Sequence, residues 1–153
     1  MNFKPLYSVG SGGTPSANPY KTAASQTIKV GDMVSLTTAG HVTDADASPA
    51  GLLGVAASSV TSSSAGDEIL VYDDPGLVYL ATADDASDVS QALVGAQIDL
   101  NADQDSGVDA DGSSAVVLTV VDLYSNRDAN AASTQLLVSI INAKHIFGDF
   151  VAP

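Results

Sequence analysis

The residues best spaced for metal chemistry form an acidic stretch two-thirds of the way along the chain. Side chains that offer oxygen ligands alternate there, in the order Asp99, Asn101, Asp103, Asp105, before Gly107. This spacing is similar to the opening of an EF-hand calcium loop. The pattern then departs from that loop, because its sixth position is Gln104 rather than glycine and its twelfth is Ala110 rather than glutamate. We therefore expect a solvated acidic loop here, with a calcium site as the alternative.

Two pairs of carboxylates and two histidines are the other residues that could do acid–base or nucleophilic chemistry. Asp73-Asp74 stands at a Pro-Gly turn and Asp84-Asp85 at the start of a helical pattern, where acids have structural roles. His41 and His145 lie far apart and the chain has no cysteine to complete a zinc site, so we expect a packing or hairpin role for both histidines. A Ser-His-Asp triad can assemble in space, but no Gly-x-Ser-x-Gly elbow is present. The sequence predicts no enzyme, no metal and no cofactor.

A glycine-rich stretch near the start, residues 10–13, is similar to a phosphate-binding loop only in its glycine content. No strand pattern precedes it, Pro15 follows it, and it lacks the Gly-Lys-Ser ending that contacts phosphates. We expect no nucleotide site there.

Charge is distributed unevenly along the chain, whose net charge is −13. Residues 1–29 carry three lysines and no acid, whereas residues 30–153 carry all 18 acids and two cations. So acidic a body repels nucleic-acid phosphates, which argues against DNA or RNA as a direct partner. The longest apolar run, 115–121, is too short to span a bilayer, and the first residues lack the apolar core of a secretory signal. We expect no membrane partner and synthesis in a cytoplasm.

These residues are positioned by short segments with β-forming residues at alternate positions, separated by turns rich in Gly, Asp and Pro. Strand patterns cover 28–30, 33–36, 41–43, 52–60, 68–72, 77–81, 96–100, 115–124 and 134–142. The turn at 73–76 predicts a hairpin between the strands on either side of it. One helix of about two turns is predicted over 84–95, with Asp85 or Ser87 as cap and Gly95 as its end. The predicted fold is all-β with one short helix, a single-domain β-sandwich or barrel.

The first 26 residues carry no core pattern, and we predict an extended N-terminal arm over 1–26 and a β-rich body over 27–153. Three prolines exclude a regular helix across the arm. A solvated, unstructured terminus is the alternative, but the arm is rich in aromatic residues for such a tail, which favours an arm that becomes ordered against a partner. The candidate partner-binding residues are Phe3, Lys4, Leu6, Tyr7, Tyr20 and Lys21.

Four pieces of the body resemble the head decoration, or cement, proteins of tailed bacteriophages. They are Gly31-Asp32-Met33-Val34-Ser35-Leu36, Pro49-Ala50-Gly51-Leu52-Leu53-Gly54-Val55-Ala56, Gly66-Asp67-Glu68-Ile69-Leu70-Val71 and Gly76-Leu77-Val78. The resemblance covers residues 27 to about 100 and extends to the closing strand with His145-Ile146-Phe147, whereas the acidic loop 101–114 and the long arm depart from it. It implies a compact body of the β-tulip type that forms a homotrimer on the outer surface of the virion. The implied partner is the major capsid protein, which the arm would contact.

A surface-displayed module that binds a ligand or a carbohydrate is the alternative function. Such modules expose aromatic platforms, whereas Tyr72, Tyr79 and Tyr124 are interleaved with apolar residues here, and the chain has no tryptophan. The sequence therefore favours the capsid protein without excluding the binding module.

Overall fold

The computed structural model describes residues 2–9, 13–46, 51–101, 107–113, 115–141 and 144–147. Within them the chain forms thirteen short β-strands and two single turns of 3-10 helix, at Gln91–Leu93 and Tyr124–Asn126. In chain order the strands are β1 Phe3–Ser8, β2 Asn18–Lys21, β3 Gln26–Ile28, β4 Met33–Leu36, β5 Val42–Asp44, β6 Gly54–Ala56, β7 Val60–Ser62, β8 Glu68–Tyr72, β9 Leu77–Thr82, β10 Gln97–Leu100, β11 Val108–Asp109, β12 Leu118–Leu123 and β13 Gln135–Ile140.

Two antiparallel sheets make up the body, with a two-stranded ribbon beside them. The larger sheet has the order β1-β9-β13-β12-β10-β11, and the smaller has the order β2-β8-β6-β4-β5. The ribbon pairs β3 with β7. The all-β fold predicted from the sequence is confirmed, as a sandwich-like body of curled sheets.

Each sheet is strongly curled. One of its edge strands forms a β-bridge with the residue that directly follows a non-adjacent strand of the same sheet. In the smaller sheet a bridge joins Thr22, just after β2, to Val42 in β5. In the larger sheet a bridge joins Ala83, just after β9, to Val108 in β11. The right-handed twist of short antiparallel strands favours this curling, which leaves fewer open edges.

The core follows the alternation of apolar residues along the strands, as in β8, where Ile69 and Val71 are buried while Glu68 and Leu70 are exposed. One cluster of buried side chains lines the larger sheet, and a second lies inside the smaller one. The buried Tyr79 links the two sheets, because its hydroxyl donates to the carbonyl of Tyr72 at 3.3 Å. Burial raises the pKa of Tyr79 well above its usual value, so the phenol keeps the proton that it donates.

The predicted hairpin around residues 73–76 is wrong, although the turn itself is present. The Leu77 N–H donates to the Asp74 carbonyl at 3.1 Å, and the Gly76 N–H donates to the Asp74 side chain at 2.8 Å. The strands on either side do not pair, however, because β8 belongs to the smaller sheet and β9 to the larger. The turn is therefore the link by which the chain passes from one sheet to the other.

The helix predicted over residues 84–95 is reduced to the single 3-10 turn Gln91–Leu93. Asp85, one of the two predicted cap residues, makes local hydrogen bonds instead: its carboxylate accepts both the backbone N–H and the hydroxyl of Ser87 at 2.8 Å. Such a bond competes with helix formation, and two turns without a buried face gain little from packing. The long strand predicted over 52–60 is likewise divided into β6 and β7 by a bend at 57–59.

The predicted arm needs a correction, because two of its segments are strands of the sheets. Residues 3–8 form β1, which pairs with β9 from Phe3 opposite Ala81 to Ser8 opposite Leu77. Residues 18–21 form β2, which pairs with β8. The physical reason is that Phe3 is fully buried in the core of the larger sheet, so β1 completes that core instead of extending from it.

Candidate partner-binding surface

Strand β1 stands at the edge of the larger sheet and carries four of the six residues predicted to bind a partner. Phe3 points into the core, whereas Lys4 is exposed and Leu6 and Tyr7 are half-buried. A bulge between Pro5 and Tyr7 interrupts the pairing with β9. Just beyond the strand, Val9 is 73% exposed, although its N–H is held by the carbonyl of Gly76 at 2.8 Å. The strand therefore presents a cation, an aromatic ring and apolar side chains to solvent from a fixed backbone.

Arg127 extends this surface from a distant part of the chain. Its guanidinium lies 6.0 Å from the centroid of the Tyr7 ring, at the range of a cation–π contact. Its Nε donates to the Asp122 carboxylate at 3.1 Å, and the Asn126 amide donates to the same carboxylate at 2.7 Å. These hydrogen bonds hold the pKa of Asp122 below its usual value, the bond from Asn126 contributing most. We call Lys4, Leu6, Tyr7, Val9 and Arg127 together the β1 surface.

Two shallow clefts border the β1 surface. One, of about 250 Å³, lies between β1 and the smaller sheet and is lined by Phe3, Lys4, Pro5, Val30, Ala56, Ala57 and Tyr72. The other, of about 300 Å³, is lined by Val9, Pro75, Gly76, Val78, Val121, Ser139 and Ile140. Both linings are mainly apolar, so the β1 surface adjoins two apolar recesses, one at Lys4 and one at Val9.

The other two predicted residues lie on β2, at the edge of the smaller sheet. The Tyr20 hydroxyl donates to the Asp73 carboxylate, and Lys21 forms an exposed ion pair with Glu68 at 3.9 Å. Burial, followed by the bond to Asp73, raises the pKa of Tyr20 well above its usual value. Both polar groups therefore already have partners within the chain. A cleft of about 450 Å³ adjoins them and is lined by Pro19, Tyr20, Lys21, Ala39, Gly40, His41 and Glu68.

The six predicted residues thus do not form one site. Lys4, Leu6 and Tyr7 are accessible on β1, and Tyr20 and Lys21 lie on a different sheet. Phe3 stabilises the core and is buried too deeply to contact a partner. Sequence reasoning missed Arg127 and Val9. Arg127 is an isolated cation in a polar loop, and its sequence position gave no signal of contact with β1. Val9 follows β1 directly, but as a single valine it gave no signal that its side chain would be exposed.

The residues that the sequence singled out for metal binding or catalysis lie apart from one another in the structure. Asp99 is buried and accepts the Ala115 N–H at 3.1 Å, while residues 102–106 of the calcium-like pattern lie outside the described part of the chain. Across the described ranges, no group of three or more His, Asp or Glu side chains is placed to hold a metal ion. The two histidines lie apart: His41 is half-buried beside the cleft at β2, and His145 is buried near Leu52.

Comparison with known proteins leaves the family of this chain open. No model of a known protein family matches it, and no curated protein matches it. Of the helical segments in the described residues, none is long and apolar enough to cross a membrane.

Proposed function

We propose that this chain is a structural viral protein that binds the outer surface of an icosahedral phage capsid and stabilises it by bridging coat subunits. The β1 surface is the observation that carries the proposal, because it exposes two cations, a tyrosine and apolar side chains at a sheet edge of a strongly acidic chain. The sequence motifs that resemble phage decoration proteins support the same function. On this proposal the protein is located on the virion, and its partner is the major capsid protein.

The charge of Lys4 favours an acidic partner surface. Within the described residues Lys4 forms no ion pair, whereas Arg127 is paired with Asp122 and Lys21 with Glu68. The chain as a whole is strongly acidic, so an acidic coat surface would be repelled by most of it and attracted where cations such as Lys4 are exposed. Electrostatic complementarity of this kind orients a protein on its partner and increases the association rate.

Side chains, more than added β-strand pairing, are proposed to make the contact. Both N-terminal edge strands contain a proline, Pro5 in β1 and Pro19 in β2, and proline has no N–H to donate to an incoming strand. The bulge after Pro5 disrupts the edge further. Tyr7, whose ring is oriented by Arg127, is the proposed anchor, since aromatic residues dominate the binding energy of interfaces.

A homotrimer is part of the proposal and rests on the resemblance. Three copies of a small surface would bind with an avidity much greater than that of one, provided that their spacing matches the coat lattice. Simultaneous contacts with several coat subunits would also resist separation of those subunits on heating.

Co-sedimentation of the purified protein with capsids that lack it tests the proposal. We expect the wild type to sediment with the capsids and Tyr7→Ala to bind at least about tenfold more weakly. Lys4→Glu is expected to weaken binding, most strongly at low salt. Lys21→Glu is the matched control, because it makes the same charge reversal on β2, and it should bind nearly as well as the wild type. The proposal is contradicted if the wild type stays in the supernatant, or if none of these variants alters binding.

The cleft at β2 supports a second candidate function, the binding of a carbohydrate or other small polar ligand. Its volume of about 450 Å³ falls within the range of ligand sites, and it offers the Tyr20 side chain beside His41, Lys21 and Glu68. A glycan array addresses this candidate directly. Binding that is lost in Tyr20→Ala but kept in Tyr7→Ala would favour it over the capsid protein.

A further inference from the structure

The last described segment, residues 144–147, is held against Leu52, just before β6, by two backbone hydrogen bonds. The Leu52 N–H donates to the Lys144 carbonyl at 2.7 Å, and the Ile146 N–H donates to the Leu52 carbonyl at 2.9 Å. Leu52 is fully buried, and Phe147 packs against the core of the smaller sheet. The segment is therefore fixed to the body through Leu52 and Phe147, and we call it the clasp.

His145 is at the centre of the clasp and is only 4% exposed. Its Nδ1 accepts the backbone N–H of Phe147 at 3.0 Å, so in this arrangement Nδ1 carries no proton. The neutral ring must then carry its proton on Nε2, and Nε2 has no hydrogen-bond partner among the described residues. The clasp thus closes around a neutral imidazole whose Nδ1 accepts a hydrogen bond from the clasp itself.

The charged groups that face this ring come from the turn between β8 and β9. Asp73 and Asp74 both favour the protonated ring, as does the backbone of Leu53. Lys144 adjoins the histidine within the clasp itself. Burial outweighs these groups and lowers the pKa of His145 below its usual 6.5.

We infer that the clasp is an acid-released element, in which protonation of His145 frees residues 144–147 from Leu52 while the two sheets remain folded. A proton on Nδ1 converts that atom from acceptor to donor, so it then faces the Phe147 N–H with no bond between them. The imidazolium is also buried, at a cost that release into water removes. This device is separate from the β1 surface and stands whether or not the protein binds a capsid.

The direction of the pH dependence follows from the two states of the ring. In the closed clasp the pKa of His145 lies below 6.5, and in the released segment it returns to about that value. Release of the clasp is therefore accompanied by binding of a proton to His145 when the pH is below 6.5. The ratio of open to closed clasp should rise as pH falls below 6.5, by up to about tenfold per pH unit, until the pKa of the closed state is reached.

Amide hydrogen exchange of the full chain between pH 7.5 and pH 5 measures this opening. The amides to follow are those of Leu52 and Ile146, with protection factors corrected for the intrinsic effect of pH on exchange. We expect both protection factors to fall with decreasing pH, by up to about tenfold per unit. The Leu53 amide, which donates to the Val34 carbonyl at 2.8 Å, is the internal control and should keep its protection. Constant protection of Ile146, or an equal loss at Leu53, would overturn the inference.

His145→Phe replaces the imidazole by a ring that cannot titrate. In this variant the protection factors of the Leu52 and Ile146 amides should not depend on pH between 7.5 and 5. His41→Gln removes the other histidine and should leave the wild-type pH dependence intact. A wild-type NMR titration of the His145 ring gives a test that needs no variant. A midpoint below 6.5 supports the clasp, and a midpoint at or above 6.5 contradicts it.

Discussion

The backbone N–H of Phe3 donates to the carbonyl of Gly31 at 3.0 Å, which ties the first strand of the larger sheet to the turn that leads into the smaller one. The same turn is braced from the other side, because the Gly31 N–H donates to the carbonyl of Ala56 in β6 at 2.9 Å. Gly31 thus joins an edge strand of one sheet to an inner strand of the other. The N-terminal segment is therefore part of what holds the two sheets together.

Replacing Phe3 by alanine should destabilise the protein strongly, because its fully buried ring would leave a cavity in the larger core. We expect a loss of about 3–5 kcal/mol in the free energy of unfolding, measured by urea denaturation. Lys4→Ala is the neighbouring control and should change that free energy by less than about 0.5 kcal/mol. Equal effects of the two substitutions would show that β1 is not anchored through Phe3.

Gly54→Ala should disrupt the pairing of β6 with β8. A Cβ at this position would lie 1.9 Å from the Tyr72 carbonyl oxygen, so the backbone of one strand would have to move. Gly40→Ala is the matched control. A Cβ at position 40 would have no atom within 4 Å, so only the positive φ of 78° disfavours alanine there. We expect about 1–2 kcal/mol of destabilisation for Gly40→Ala and clearly more for Gly54→Ala, by thermal or urea unfolding.

Asp109→Asn should stabilise the protein at neutral pH. Burial raises the pKa of Asp109 above 3.8, and the neighbouring Asp111 and Asp84 raise it further, against the opposing N–H of Gly112. A raised carboxyl pKa means that the folded state holds its proton more tightly, so the ionised group destabilises the fold above that pKa. The advantage of the variant over the wild type should shrink as pH falls through the folded pKa and be absent below 3.8.

Asp122→Asn should have the opposite effect. Hydrogen bonds from Asn126, and then from Arg127 and Leu123, lower the pKa of Asp122 below 3.8. The carboxylate therefore contributes stability that is present above 3.8 and is lost as pH falls through the folded pKa. Urea unfolding should find the variant less stable than the wild type at pH 7 and equal to it at strongly acidic pH. A difference that stayed constant with pH would assign the effect to packing instead of charge.

Strands such as β8 and β13 could be predicted because a run of β-forming residues is a local signal, and both lie within their predicted ranges. Strands β1, β2 and β11 were missed, because they fall in segments predicted to be an arm or an acidic loop. The pairing of strands could not be predicted. Asp74 and Gly76 specify a tight turn whether the next strand returns beside the last one or crosses to another sheet, and here it crosses. The helix was overestimated because the bond between Asp85 and Ser87 competes with a cap, and sequence alone does not rank the two.

The candidate surface was predicted only where its residues are adjacent in sequence. Lys4, Leu6 and Tyr7 share one strand, and their types indicated contact with a partner. Arg127 reaches the Tyr7 ring across 120 positions of sequence, a relationship that depends on how the sheet curls. The burial of His145 agrees with the packing role that the sequence indicated, but its contact with Leu52 escaped prediction, because it joins two segments that are distant in the sequence.

Electron cryomicroscopy of the assembled phage particle tests the central claim most directly. If the protein binds the capsid as proposed, density for this β-rich body should be present on the outer surface of the head, with the β1 surface facing the coat. That density should be absent from particles made without the protein. Heads that show no such density, or density in which β1 faces away from the coat, would contradict the account.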